Sequence, residues 1–330
     1  MPRSVIEEQR DEAKKAMGRW AEMGRRLRYT GHLLWRSAVT PMLGAYQRPR
    51  LVKPDELGVT FIGHSSFLVQ AAGQNLLFDP VFSTWLILLR RQRRPGVRPR
   101  DIPPIDVVLL SHAHMDHLDR ASLRRVTRIT RRRKGRAPLV VVPNDVGDIV
   151  RGLGFSAVIE LRWWESYVAG GLTITHTPAK HWGTRWIMDG HRGYGGYLVE
   201  GGARRLYYSG DTAYFAGFHE IGARLRPEVA LLPIGAYTPD SYRAVHASPE
   251  DALRALEDLG AEWMVPMHYG TFWLSEEPLE EPLPRLLASA EAMGLADRVA
   301  VVPEGETRIF RVANQAMQDH HQEAGTATAQ

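Results

Sequence analysis

From Val59 onward the chain alternates between short apolar runs and small or polar breaks. The first runs, VTFIGHSSFLVQ and QNLLFDP, read as paired strands separated by a turn around Gly73. IDVVLLSH is a buried strand ending on a polar motif, and PLVVVP, AVIEL, GLTITHTP, GGYLVE, RRLYYSG, VALLPIG and EWMVPMH continue the series. Several are near-continuous apolar stretches of roughly four to eight residues, the pattern of strands covered on both faces. Among them SPEDALRALEDLG carries the marks of a helix. Ser248 can cap it, Pro249 fits the first turn, Asp251 completes a capping-box pattern and Gly260 stops it. Strands in the majority with helices interspersed predict an α/β layered domain over residues 51–312, with no repeat of fixed period.

The two ends differ from this body. Within residues 1–50, EEQRDEAKKAMGRWAEMGRRLR has helix-forming composition, with Ala13, Met17, Trp20 and Leu27 near one face. HLLWRSAVTPMLGAY follows as a short apolar patch closed by Pro and Gly signals. The first reading is an N-terminal helical extension packed on the domain. The second, prompted by basic residues flanking Trp20, Leu33, Leu34 and Trp35, is an interfacial helix resting on anionic lipid. The tail over 313–330 is small and polar and is expected to be disordered.

Composition narrows the chemistry. Of 330 residues, 44% are hydrophobic and 24% charged, as in an ordinary soluble protein. The net charge of +5, mostly from arginine, leans toward anionic partners. There is no cysteine, so disulfides, thiolate metal sites and Cys nucleophiles are excluded, and any metal must sit among His, Asp and Glu. No apolar run reaches the roughly 18 residues of a membrane-spanning helix. Glu7, Glu8, Asp11 and Glu12 argue against a secretory leader. A cytoplasmic location is expected, with peripheral contact at the inner membrane face as the variant that the interfacial helix would add.

The chemistry concentrates in LLSHAHMDHLD, residues 109–119, where His112, His114, Asp116 and His117 form H-x-H-x-D-H. The motif follows a strand and opens toward a helix, so its side chains can converge from a rigid scaffold. Imidazole and carboxylate suit Zn²⁺ and similar divalent ions. His112 and His114 can point at one ion, while Asp116 and His117, one turn further, reach a second about 3.5–4 Å away. One loop cannot complete two sites. Three further strand ends offer ligands: His176 and His181 in THTPAKHW, Asp211 in YYSGDT and His268 in MVPMHYGTF. Ligand sites of α/β proteins collect at such C-terminal strand ends.

Together SHAHMDHLD, TPAKHW, SGDT and MHYGTF resemble the metallo-β-lactamase superfamily. Adding FIGHSSFLVQ, LLFDPVFS, SGDTAYF, PIGAY and HASPEDA, the chain is similar to the branch containing N-acylphosphatidylethanolamine-hydrolysing phospholipase D and its bacterial relatives. The resemblance spans roughly residues 57–311 and implies a four-layer αββα sandwich with a dinuclear site. It implies one divalent ion held by His112, His114 and His181, and another held by Asp116, His117 and His268, with Asp211 bridging. His181 is preferred to His176 because the family's ligand follows the Thr-Pro pair. Zinc is the expected metal, with iron or manganese as alternatives. Asp116 and Asp211 are the implied catalytic groups, Asp116 also orienting the nucleophile.

Three further residues are candidates for substrate contact or support of the ligands. His64 corresponds to a position near the site in relatives, Asp79 can hold a ligand histidine by hydrogen bond, and His246 can meet a substrate phosphate. Where animal members carry His before Gly-Glu-Ser, this chain has PEGET with Glu304. GHSSF is no G-x-S-x-G elbow, so Ser65 and Ser66 are read as structural.

The implied activity is a phosphodiesterase of phospholipase D type, acting on N-acylphosphatidylethanolamine or a related phospholipid. Its two ions would share a water whose pKa falls from about 15.7 to near 7. A lactone, ester or cyclic-phosphate hydrolase is the alternative within the fold. A non-catalytic metal- or nucleic-acid-binding protein is the alternative outside it. The arginine-rich stretches at 90–100 and 120–136 read first as solvated surface and second as attraction for anionic head groups. Without interleaved aromatics they give little support to nucleic acid as a partner.

Overall fold

The computed structural model describes residues 31, 33–186 and 189–311. Its first sheet begins as an antiparallel meander of β1 (Leu57–Gly63), β2 (Ser66–Ala71) and β3 (Gln74–Phe78). Ala71 pairs with Gln74, and Ala72 and Gly73 both take positive φ (49° and 72°). That two-residue turn matches the twist of the strands it joins. After a small hairpin, β4 (Trp85–Leu86) with β5 (Leu89–Arg90), the sheet continues in parallel through β6 (Val107–Leu109), β7 (Leu139–Pro143) and β8 (Val158–Leu161).

The second sheet repeats the scheme. The strands β9 (Ser166–Ala169), β10 (Leu172–Thr177), β11 (Gly196–Glu200) and β12 (Leu206–Tyr208) pair antiparallel, then β13 (Val229–Pro233) and β14 (Trp263–Met267) add in parallel. A final strand, β15 (Thr307–Phe310), closes the edge of the first sheet against β1.

Apolar side chains sort into three layers. Between the sheets lie Val59, Phe67, Phe78 and Leu109 from one side and Ile174, Tyr197, Leu231 and Val265 from the other. Outside the first sheet, Leu68, Val108 and Val140 meet Leu123 and Val126 of helix α1 (Arg120–Lys134) and Ile149 of the single-turn α2 (Gly147–Val150). Outside the second, Tyr207, Ala230 and Leu232 meet α3 (Gly217–Leu225), α4 (Pro249–Leu259) and α5 (Pro282–Ala292) through Phe218, Leu253, Leu256 and Leu286. Two mixed sheets face to face with helices on both outer sides form the αββα sandwich the sequence pointed to.

The arginine run at 120–136 resolves into α1. Its Asp119 cap accepts the Ala121 N–H, Gly135 ends it in the left-handed region, and Leu123, Val126 and Thr130 are its buried side. Basic residues on its outer face are partly employed in the fold, since Arg133 donates to the carbonyl of Ile102 and Lys134 pairs with Asp106. Residues 33–39 are helical, and beyond them Leu43 and Gln47 bridge to Arg93 and Val97. The remainder of the expected N-terminal helix and the 313–330 tail fall outside the described residues. Among the described residues no helix is long and apolar enough to cross a membrane.

Candidate metal centre

The polar motifs all leave the same edge of the sandwich. His64 follows β1, Asp79 follows β3, the 112–117 motif follows β6, His181 follows β10, Asp211 follows β12 and His268 follows β14. His64, Asp79 and His268 sit at φ of 61°, 38° and 59°, in the left-handed region that non-glycine residues rarely occupy. Such backbone persists where the surroundings over-determine it. Here the His64 N–H donates to Thr271 Oγ1 at 2.9 Å, and the His268 N–H donates to the His64 carbonyl at 2.8 Å. The second contact ties the first sheet to the second directly at the site.

Three imidazole nitrogens converge first. His112 Nε2 lies 2.7 Å from His114 Nδ1, which lies 3.3 Å from His181 Nε2. A second group gathers on Asp116 Oδ2, which is 3.0 Å from His64 Nε2, 3.6 Å from His117 Nε2 and 3.7 Å from His268 Nε2. Asp211 Oδ2 stands between them. It is 3.1 Å from His117 Nε2 and 3.0 Å from His268 Nε2, and 4.0 Å and 3.9 Å from His112 Nε2 and His181 Nε2. His246 Nδ1 reaches the same oxygen at 3.9 Å. His112, His114, Asp116, His117, His181, Asp211 and His268, the implied ligand set, are therefore in one cluster, together with His64 and His246.

Asp79 lies beneath it. Its carboxylate accepts from the Ser111 N–H at 2.8 Å, Ser111 Oγ at 2.5 Å, Tyr208 OH at 2.6 Å and His117 Nδ1 at 2.6 Å. His176 is elsewhere: it is buried on β10 with its ring against Tyr197. Ser66 Oγ donates to the Asp79 carbonyl and accepts from the Val81 N–H, a structural use. Glu304 pairs with Arg93, away from the ligands.

The donor chemistry fits divalent cations. Nε2 of His117, Nε2 of His268 and Oδ1 of Asp211 are buried and find no well-placed hydrogen-bond partner among the described residues. Nitrogens packed this tightly have no proton arrangement that satisfies all of them. Burial drives His112, His114 and His181 toward the neutral form that ligates metal, His181 to about 3. Burial pushes His117 and His268 the same way, but the charges of Asp211 and Asp116 outweigh it; His268 rises to about 9. Protons there answer a concentration of negative charge that a metal ion would answer instead. With no sulfur present, the nitrogen and oxygen set suits zinc, iron or manganese. These buried His and Asp clusters are consistent with a dinuclear metal site.

Two aromatic residues at the site escaped the sequence reading. Trp182 is 41% exposed and stacks on His181 with ring centroids 4.4 Å apart, also approaching His114 at 5.2 Å. Phe272 meets the His64 ring edge-on at 5.3 Å. Both sit one to four residues past a proposed ligand, which is the only signal the sequence held.

Comparison with known proteins agrees with this geometry. A family model described as a beta-lactamase superfamily domain matches residues 74–269. The N-acyl-phosphatidylethanolamine-hydrolyzing phospholipase D 1 of Caenorhabditis elegans is 34% identical over 229 residues, covering 66% of this chain and 64% of that protein. A metal-dependent hydrolase of Methanopyrus kandleri is 32% identical over 253 residues, covering 76% of this chain and 98% of that one. Among solved structures, a metallo hydrolase from Ignicoccus hospitalis superposes with a TM-score of 0.59 at 28% identity, covering 78% of this chain and 99% of that one. By fold, ligand motifs and sequence, the chain belongs to the metallo-β-lactamase superfamily.

Proposed function

We propose that the protein is a metal-dependent hydrolase that cleaves the phosphodiester of N-acylphosphatidylethanolamine or a related phospholipid. The observation that carries the metal-dependent part is Asp211 Oδ2, within 4.0 Å of the Nε2 atoms of His112, His117, His181 and His268. His112, His114 and His181 would hold one ion, Asp116, His117 and His268 the other, and Asp211 would bridge. When bound, such a pair supplies Lewis acidity toward a phosphoryl oxygen and lowers the pKa of a water to near 7.

The chain's own groups then have distinct tasks. Asp116, hydrogen-bonded to His64, orients the attacking water. His246 is held neutral by burial, at about 4, and its ring lies over His268 and beside Trp182. As a neutral imidazole it can donate one hydrogen bond to a phosphoryl oxygen without repelling the neighbouring cations. Water adds its oxygen to phosphorus, the bond to the ethanolamine oxygen breaks, and that oxygen takes up a proton. The products are an N-acylethanolamine and phosphatidic acid.

Support for the lipid comes from likeness to the C. elegans enzyme and to its yeast counterpart, which is 33% identical over 266 residues. This chain spans 64% and 55% of their lengths. The deciding assay follows release of both products from defined N-acylphosphatidylethanolamine. Turnover of bis(p-nitrophenyl) phosphate or a lactone without lipid cleavage would overturn the substrate assignment and leave the metal centre standing.

A further inference from the structure

The hairpin β4–β5 has two unlike faces. Leu86 and Leu89 pack inward with Val81 and Leu274 around Phe272. Trp85, Ile87 and Leu88 are 48%, 67% and 62% exposed. Single exposed apolar residues are ordinary, but a group at the tip of a projecting hairpin is not. The 33–43 segment enlarges the group. The Arg90 N–H donates to Ser37 Oγ, its guanidinium donates to the carbonyls of Ala38 and Thr40 at 3.0 and 3.1 Å, and Gln92 donates to the Ser37 carbonyl at 2.9 Å. These bonds lay Trp35, Val39 and Leu43, each more than half exposed, beside the base of the hairpin.

The flanking sequence is strongly basic. Between Asp79 and Asp101 the sequence has six arginines and no carboxylate, and from Gly31 to Pro54 it has Arg36, Arg48, Arg50 and Lys53 and again no carboxylate. Arg91 is buried and Arg93 is matched by Glu304, but Arg36, Arg48, Arg98 and Arg100 are exposed and Arg90 and Arg94 half-buried. Arg98 lies over the Tyr46 ring, and the two line an open groove with Arg48, Arg100 and Arg133, four guanidiniums against the one carboxylate of Asp101. Large apolar side chains edged by guanidiniums suit one surface above others, an anionic bilayer. There the apolar tip enters the acyl boundary and arginines meet head-group phosphates. A second copy of this face would bring like charges together, and a nucleic acid would leave Ile87 and Leu88 without use.

We propose that hairpin β4–β5, with the 35–43 segment beside it, docks the protein on an anionic lipid bilayer, Ile87 and Leu88 entering the acyl boundary. The root of the hairpin rests on Phe272, whose ring meets His64, so a docked bilayer lies beside the metal centre. This inference rests on the surface itself and stands whether or not lipid is the substrate.

The test is co-sedimentation of the full-length chain with vesicles of equal parts phosphatidylcholine and phosphatidylglycerol, and with phosphatidylcholine alone, at low and high salt. The wild type should bind the anionic vesicles preferentially and lose binding as salt rises. The double variant I87D/L88D should bind roughly tenfold or more weakly and still hydrolyse bis(p-nitrophenyl) phosphate at the wild-type rate. Four results overturn the proposal: no vesicle binding, equal binding to neutral vesicles, a variant that binds like the wild type, or a wild-type dimer that the variant splits. Loss of the soluble-diester activity in the wild type would instead count against the hydrolase reading, so the two claims fail separately.

Discussion

Nδ1 of His117 lies 2.6 Å from Oδ2 of Asp79, a carboxylate with no exposed surface. The ring donates there, which turns Nε2 toward Asp211. Asp79 also receives Ser111 Oγ, and that hydroxyl stands 2.9 Å from His112 Nδ1, where it can accept the ring N–H. One buried carboxylate thereby sets the tautomer of a histidine in each half of the centre. Asp79 does so from the floor of the site, directly for His117 and through the Ser111 hydroxyl for His112.

Replacing Asp79 by Asn keeps the shape and removes the charge. Metal affinity should fall roughly 10–100-fold, the usual scale for partners of ligating histidines, with the fold retained. Competition against a chelator reads this directly. Wild-type affinity in the variant would show that the hydrogen bonds are incidental.

Trp182 walls the mouth of the site beside His181 and His114. Trp182→Ala should raise KM for an acylated substrate roughly five- to tenfold through lost apolar contact. Turnover of a small soluble diester should stay within about twofold. Equal losses on both substrates would mean that the ring supports the ligands rather than the substrate.

A third expectation concerns stability. Glu250 on α4 accepts from Arg285 of α5 at 2.7 and 3.1 Å and from Ser289 at 3.2 Å. Burial pushes the carboxyl up, but hydrogen bonds from Arg285, from its own backbone N–H and from Ser248, with the Arg285 charge, outweigh it and hold the pKa at about 2 rather than the ordinary 4.5. A lowered folded-state pKa stabilises above the unfolded value, and that gain is lost as pH falls from 4.5 through 2. Because the pair is about two-fifths exposed, Glu250→Gln should cost no more than about 1 kcal/mol above pH 5. The gap between urea midpoints of the two proteins should close toward pH 2. A gap independent of pH would contradict the assignment to charge.

The sequence displayed the clustered His and Asp residues because each stands just beyond an apolar run, and such runs survive as buried strands. Helix α4 was equally legible. Ser248 and Asp251 make a reciprocal capping box, Pro249 opens the helix, and Gly260 closes it at φ 63°. Other elements carried no local mark. β9 is largely exposed, so it lacks an apolar run. The β4–β5 hairpin turns at Ile87 with φ 53°, where no glycine or asparagine announces a turn. The His64 contact to Asp116 depends on the loops after β1 and β6 meeting across the two strands that separate them in the first sheet, a matter of packing that no local spacing encodes. The choice of His181 over His176 needed the family resemblance, since both follow the same strand pattern.

In the function proposed above, Asp211 joins two cation sites. Elemental analysis of the full-length chain, purified with excess Zn²⁺ and then desalted, tests it most directly when paired with Asp211→Ala. About two metal equivalents per wild-type chain are expected. In the folded variant fewer equivalents and no hydrolysis of bis(p-nitrophenyl) phosphate are expected. A wild type without metal, or a variant that keeps both the metal content and the turnover of the wild type, would contradict it.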